Sequence, residues 1–167
     1  MELNAPNSSS DAEEISDLLS QAKRIARRYY ELTGKPLGIS GEVAEHEAAR
    51  LLGLELAPAR EAAIDAFLHT NGKTQRLQIK GRAVDASRRY VGRVSRIKLE
   101  PQFDAALLVL LDKGTFDTLE IWRAEYEDIK IRLTTPGGKA RNERGSMNIS
   151  QFKSIAKKIW SVSKPTP

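Results

Sequence analysis

Two residues, Asn71-Gly72, constrain this chain more than any others, because they join two strand-like runs. Both residues accept positive φ, so the pair predicts a two-residue hairpin turn. Such a turn fixes the register of the strands it joins. Thr70 then pairs with Lys73, Ala66 with Leu77, Asp65 with Gln78 and Ile64 with Ile79. Side chains alternate between the faces of a strand. Ile64, Ala66, Leu68, Leu77 and Ile79 are therefore expected on one core face. Asp65, Phe67, Arg76, Gln78 and Lys80 fall on the other, which makes Asp65, Gln78 and Lys80 a compact polar cluster.

The rest of the chain supplies helices and further strands. Residues 1–9 are expected to form a disordered tail, and residues 10–167 a single domain. Ser10-Asp11-Ala12-Glu13 has the form of a capping box. Apolar residues then recur at helical spacing from Ile15 to Leu32, until Gly34 and Pro36 stop the helix. A second helix is predicted from Ser40 to about Leu52, with Gly53 as its stop. On a helical wheel Ala44, Ala48, Ala49, Leu51 and Leu52 share an arc that also holds Glu45, with Glu42 at its edge. His46 and Arg50 face away. A carboxylate within an apolar stripe is costly unless its charge is offset, whether by a cationic neighbour, by water at an edge or by a bound ion. Ala105–Leu111 is a continuous apolar run and predicts a strand buried on both faces. Thr118–Arg123 alternates and should return antiparallel across the Asp112-Lys113-Gly114 turn. A short helix is expected over Ala124–Ile131, then a polar loop to Asn148. A last helix should begin near Ser150 and bury Phe152, Ile155, Ala156, Ile159 and Trp160. The fold class is α/β.

Composition narrows the chemistry. With no cysteine among 167 residues, disulfides and cysteine zinc sites are excluded. No apolar run is long enough to span a membrane, and the polar, acidic N-terminus does not resemble a secretory signal. A bacterial-type cytoplasm is the expected location. The net charge is +5, and cations crowd between Lys80 and Lys98, where Arg82, Arg88, Arg89, Arg93 and Arg96 face only Asp85. A second basic stretch holds Lys139, Arg141, Arg144, Lys153, Lys157 and Lys158. Either stretch alone is an ordinary solvated surface; two in one small domain favour phosphate contact. Phe67 and Tyr90 are the candidates for base stacking, whereas Trp122 and Trp160 are expected in the core. His46 and His69 do not form a metal site, and Gly137-Gly138-Lys139 lacks the spacing of a phosphate loop.

Asp65, Gln78 and Lys80, with Glu45 from the preceding helix, suit metal-assisted phosphodiester hydrolysis. Magnesium takes oxygen ligands, and carboxylates, an amide oxygen and the backbone carbonyl of Ile79 supply them. Lys80 is suited to orient a water and to stabilise developing negative charge. Ile64-Asp65, Gln78-Ile79-Lys80 and the earlier Gly41-Glu42-Val43-Ala44-Glu45 together resemble the PD-(D/E)xK nuclease superfamily, over the core from Gly41 to about Arg123. That resemblance implies a restriction endonuclease-like core with a mixed central sheet of four to five strands flanked by helices. It implies Mg2+ or Mn2+ held by Glu45 (Glu42 as the alternative), Asp65 and Gln78, with Lys80 catalytic. It implies DNA as the partner, gripped by Arg82, Arg88, Arg89, Arg93, Arg96, Lys98 and Arg144, and a homodimer as one form, since cutting two strands needs two sites. Two positions depart from the family pattern. Ile64 replaces the usual proline, and Gln78 replaces the usual acid, as in some Mrr-type restriction enzymes; the second change removes one negative charge. The expected activity is endonucleolytic, of a restriction or defence kind. The alternatives are a DNA-binding module that has lost its chemistry and a small protein-interaction domain.

Overall fold

The structure is a computed structural model that describes residues 9–58, 63–135 and 146–162. Helix α1 (Ser9–Thr33) is followed by α2 (Ser40–Leu52), which Gly53 closes in the left-handed conformation. Strands β1 (Glu55–Leu56), β2 (Ala66–Thr70), β3 (Lys73–Val84), β4 (Ala105–Asp112) and β5 (Thr118–Glu125) come next. Then follow α3 (Tyr126–Thr134), α4 (Ile149–Ser154) and β6 (Lys157–Ser161). The six strands form one mixed sheet in sequence order, with β3 and β4 parallel and every other neighbouring pair antiparallel. The molecule is thus α/β, with one strand more than the four to five expected. No described helix is long and apolar enough to cross a membrane.

The hairpin forms as its turn residues dictate. Asn71 and Gly72 take φ of 50° and 74°, and Thr70 pairs with Lys73 through to Ala66 with Leu77. β4 is buried along its whole apolar run, because each face feeds a different core. Leu107, Val109 and Leu111 pack with Val43, Ala44 and Ala48 of α2 and with Ala26 of α1. Ala106, Leu108 and Leu110 pack with Phe103, Ile129, Ile149 and Phe152. Gly81 decides how close α2 comes to the sheet: a Cβ there would stand 2.1 Å from the Ser40 carbonyl oxygen and 2.6 Å from the Ala44 Cβ.

Three expectations are corrected. Ile64 leaves the face of Ala66 and joins the opposite core. The cause is local: the Asp65 amide donates to the Leu77 carbonyl and Ala63 has a positive φ, so regular alternation stops at Ala66. The predicted last helix ends at Ser154, and residues 157–161 pair with β5 as an edge strand instead. There Trp160 packs on the α1–α2 side while Phe152 sits in the other core, and Ile159 remains 38% exposed. The C-terminal boundary of β5 also moves, to Glu125, and α3 runs on to Thr134.

Candidate active site

Strand β3 carries two of the cluster residues on the face opposite Gly81. Lys80 directs its Nζ to 3.8 Å from Asp65 Oδ2. That same oxygen accepts a 2.6 Å hydrogen bond from the Ile79 amide, which holds the Asp65 carboxylate against β3 where β2 departs from the ladder. Asp65 lies one residue outside the last recorded pair, Ala66 with Leu77. Both side chains are mostly covered, with 24% of Asp65 and 17% of Lys80 exposed.

Gln78 is 1% exposed. Its amide nitrogen donates to the Lys98 carbonyl at 2.5 Å, so the basic segment crosses directly above it. Its Oε1 is buried with no hydrogen-bond partner. A buried acceptor left unpaired is expensive, which marks this oxygen as one that an additional group would satisfy.

Glu45 approaches from α2. Its pKa is pushed up to about 7, first by burial and then by the negative charges of Asp65 and Glu42, with Lys80 offsetting part of the rise. The carboxylates therefore act on one another electrostatically. Glu42 is exposed beside it.

Glu45 is half-buried at the edge of the helix's inner face rather than at its centre. The buried positions are Val43, Ala44, Glu47 and Ala48. An arc drawn to include Val43 would have swung away from Glu45 and onto Glu47, the carboxylate that the sequence reading missed. Glu47 is 9% exposed and is held by Arg50 at 2.8 Å, the Thr118 hydroxyl at 3.3 Å and Lys23 at 3.9 Å. It is a structural ion pair that ties α2 to α1 and β5.

The candidate phosphate-binding residues fall in several settings. Arg88, Arg89, Arg93, Arg96 and Lys98 are exposed along the segment between β3 and β4, and Arg82 is half-buried within β3. Val94 and Ile97 anchor that segment in the core, and its amide and carbonyl groups at Val94 and Gly92 pair with Met147 and Ile149. Asp85, the acid among these cations, is bound by Lys113 at 2.8 Å; that hydrogen bond, then those from Ser87, hold its carboxyl well below the usual range. The Lys153 ammonium lies over both the Tyr90 ring, at 4.7 Å, and the Trp122 ring, at 4.6 Å, so each ring already has a cation on one face. Phe67 packs against the core. His69 bonds Glu55 and Thr74, and His46, expected on the polar face, is half-buried. Arg144, with Lys139 and Arg141, lies outside the described residues.

Fold and cluster together define an α/β domain with a half-buried carboxylate–lysine–amide site beneath a basic strap. No known family model matches the sequence, and no curated protein matches it.

Proposed function

We propose that the protein is a divalent-metal-dependent endonuclease of the PD-(D/E)xK type acting on DNA. The observation that carries this reading is the contact of Lys80 with Asp65 beside a Glu45 whose proton is held up to about pH 7, with the orphaned Gln78 Oε1 two residues before Lys80 on β3. Among the described residues no three His, Asp or Glu side chains form a metal-holding group, so an ion would rely on mixed donors. The donors fit Mg2+ or Mn2+: two carboxylates that repel one another and an amide oxygen lacking a partner are hard oxygen ligands. Asp65, Glu45 and Gln78 Oε1 would hold the ion, with the Ile79 carbonyl as a further oxygen and Glu42 in reserve. When bound, it would polarise a phosphodiester and lower the pKa of a water. Lys80 would orient that water and stabilise charge on the phosphoryl oxygens. Arg88, Arg89, Arg93, Arg96 and Lys98 would hold the DNA backbone above the site, with Arg82 below them.

A second reading, a DNA-binding module without chemistry, is favoured by Gln78, which leaves the site one charge short. Plasmid nicking across a metal series separates the two. Wild type is expected to nick with Mg2+ or Mn2+, with activity lost in Asp65→Ala and Lys80→Ala while DNA binding survives in the latter. A wild type that binds DNA, never nicks in any metal and binds no metal by calorimetry would establish the second reading instead.

A further inference from the structure

Helix α1 has two apolar faces; the domain buries one and only partly covers the other. Ala26 is fully buried, and Leu19 packs beside it on α2 and the sheet. About a quarter-turn away, Ile15, Leu18, Ala22, Ile25, Tyr29 and Leu32 alternate at spacings of three and four, a heptad seam across most of the helix. Ile25 is 64% and Leu32 69% exposed, with Leu18 and Tyr29 also exposed. The first part of this seam lines a cavity of about 420 Å3 together with Glu42, Glu45, His46 and Leu56. A contiguous apolar stripe of this kind on a surface helix marks an interaction surface.

The charges beside the seam favour a second copy of this chain as its occupant. Residues 11–17 carry Asp11, Glu13, Glu14 and Asp17 and no cation, whereas residues 23–28 carry Lys23, Arg24, Arg27 and Arg28, of which Lys23 is bound to Asp117 and the exposed Arg27 and Arg28 share a single carboxylate, Glu31. On the solvent flank of the seam the sequence places Glu14, Gln21 and Arg28, one per heptad. Parallel pairing of two such helices would set Glu14 against Glu14 and Arg28 against Arg28. Antiparallel pairing sets each Glu14 against the other copy's Arg28 and leaves the uncharged Gln21 on the axis. The same alignment stacks Ile15 on Ile25 and the larger Leu18 on the smaller Ala22, and brings the basic half of one helix beside the Glu42–Glu45 rim of the other. A two-fold, self-complementary contact follows.

We infer that α1 is a self-association surface, pairing antiparallel with α1 of a second copy of this chain about an axis near Gln21. Sedimentation of the full chain at about 100 μM, where a micromolar Kd populates the dimer, should show a dimer. Ile25→Asp should make it monomeric with an unchanged circular dichroism spectrum, since Ile25 contributes little to the fold. Glu14→Arg should weaken the dimer roughly tenfold, and Glu14→Arg with Arg28→Glu should restore it, because two symmetric pairs change sign together. The chain has no native cysteine, so introduced thiols report alone. Ile15→Cys mixed with Ile25→Cys should form a disulfide, and neither alone should. A monomer at that concentration, a dimer that survives Ile25→Asp, or cross-linking of Ile15→Cys with itself would overturn the inference.

Discussion

At the scale of single residues, the site is governed by how tightly its polar atoms are enclosed. Glu45 binds its proton more tightly in the folded chain than in the unfolded one, where a glutamate titrates near 4.5. Its contribution to stability is therefore fully present below pH 4.5 and is lost as pH rises through about 7. In chelator, the difference in melting temperature between wild type and Glu45→Gln should grow in favour of the variant from pH 5 to pH 8. At pH 8 that advantage should be on the order of 1 kcal/mol, discounted for partial exposure. An identical pH profile for the two proteins would mean that Glu45 is not enclosed with Asp65. Gln78 makes the complementary test. Gln78→Glu places a carboxylate in a position that is 1% exposed, so the metal-free variant should lose about 3 kcal/mol or more in urea unfolding. Mn2+ should return most of that loss and bind the variant more tightly than wild type. A variant as unstable with Mn2+ as without it would show that Gln78 Oε1 does not face an ion.

At the scale of elements, the contact between α2 and β3 positions Glu45, and Gly81 sets that contact. Gly81→Ala drives a methyl into the backbone of Ser40, which has no rotamer with which to escape. The helix must shift, at a cost of about 1–3 kcal/mol, and any stabilisation that Mn2+ gives through Glu45 should shrink with it. Denaturation midpoints with and without metal measure both effects. The hairpin and β4 were legible in the sequence because each rests on a local rule: two residues that tolerate positive φ, and an unbroken apolar run. The approach of Lys80 to Asp65 could be drawn on paper for the same reason. What could not be read was decided by partners distant in sequence. Glu47 is buried because Lys23, Arg50 and Thr118 meet it there. Ile155 to Trp160 carry apolar residues compatible with either a helix or a strand, and the free edge of β5 selected the strand. Ile64 changed face because the ladder loosens at Asp65, next to the residues that hold its carboxylate.

At the scale of the whole molecule, charge is distributed by element rather than evenly. The strap between β3 and β4 holds five cations from Arg88 to Lys98 and no carboxylate within that interval. If it grips DNA, affinity should fall steeply as salt rises, and Arg88→Ala/Arg89→Ala/Arg93→Ala should both weaken binding and flatten the salt slope by roughly three. Binding titrations at several salt concentrations test this, with thermal melting to confirm that these exposed side chains leave the fold intact. The strap also joins the one parallel pair of the sheet, so β4 cannot zip onto β3 until the strap has been drawn back along the length of the strands. Closing a chain segment costs entropy before any ladder forms, and like charges stiffen the segment against closure. Refolding should therefore speed up as ionic strength rises, while unfolding changes little. Salt would act in opposite senses on one stretch of sequence, hastening the chain's first encounter with itself and loosening its hold on a polyanion.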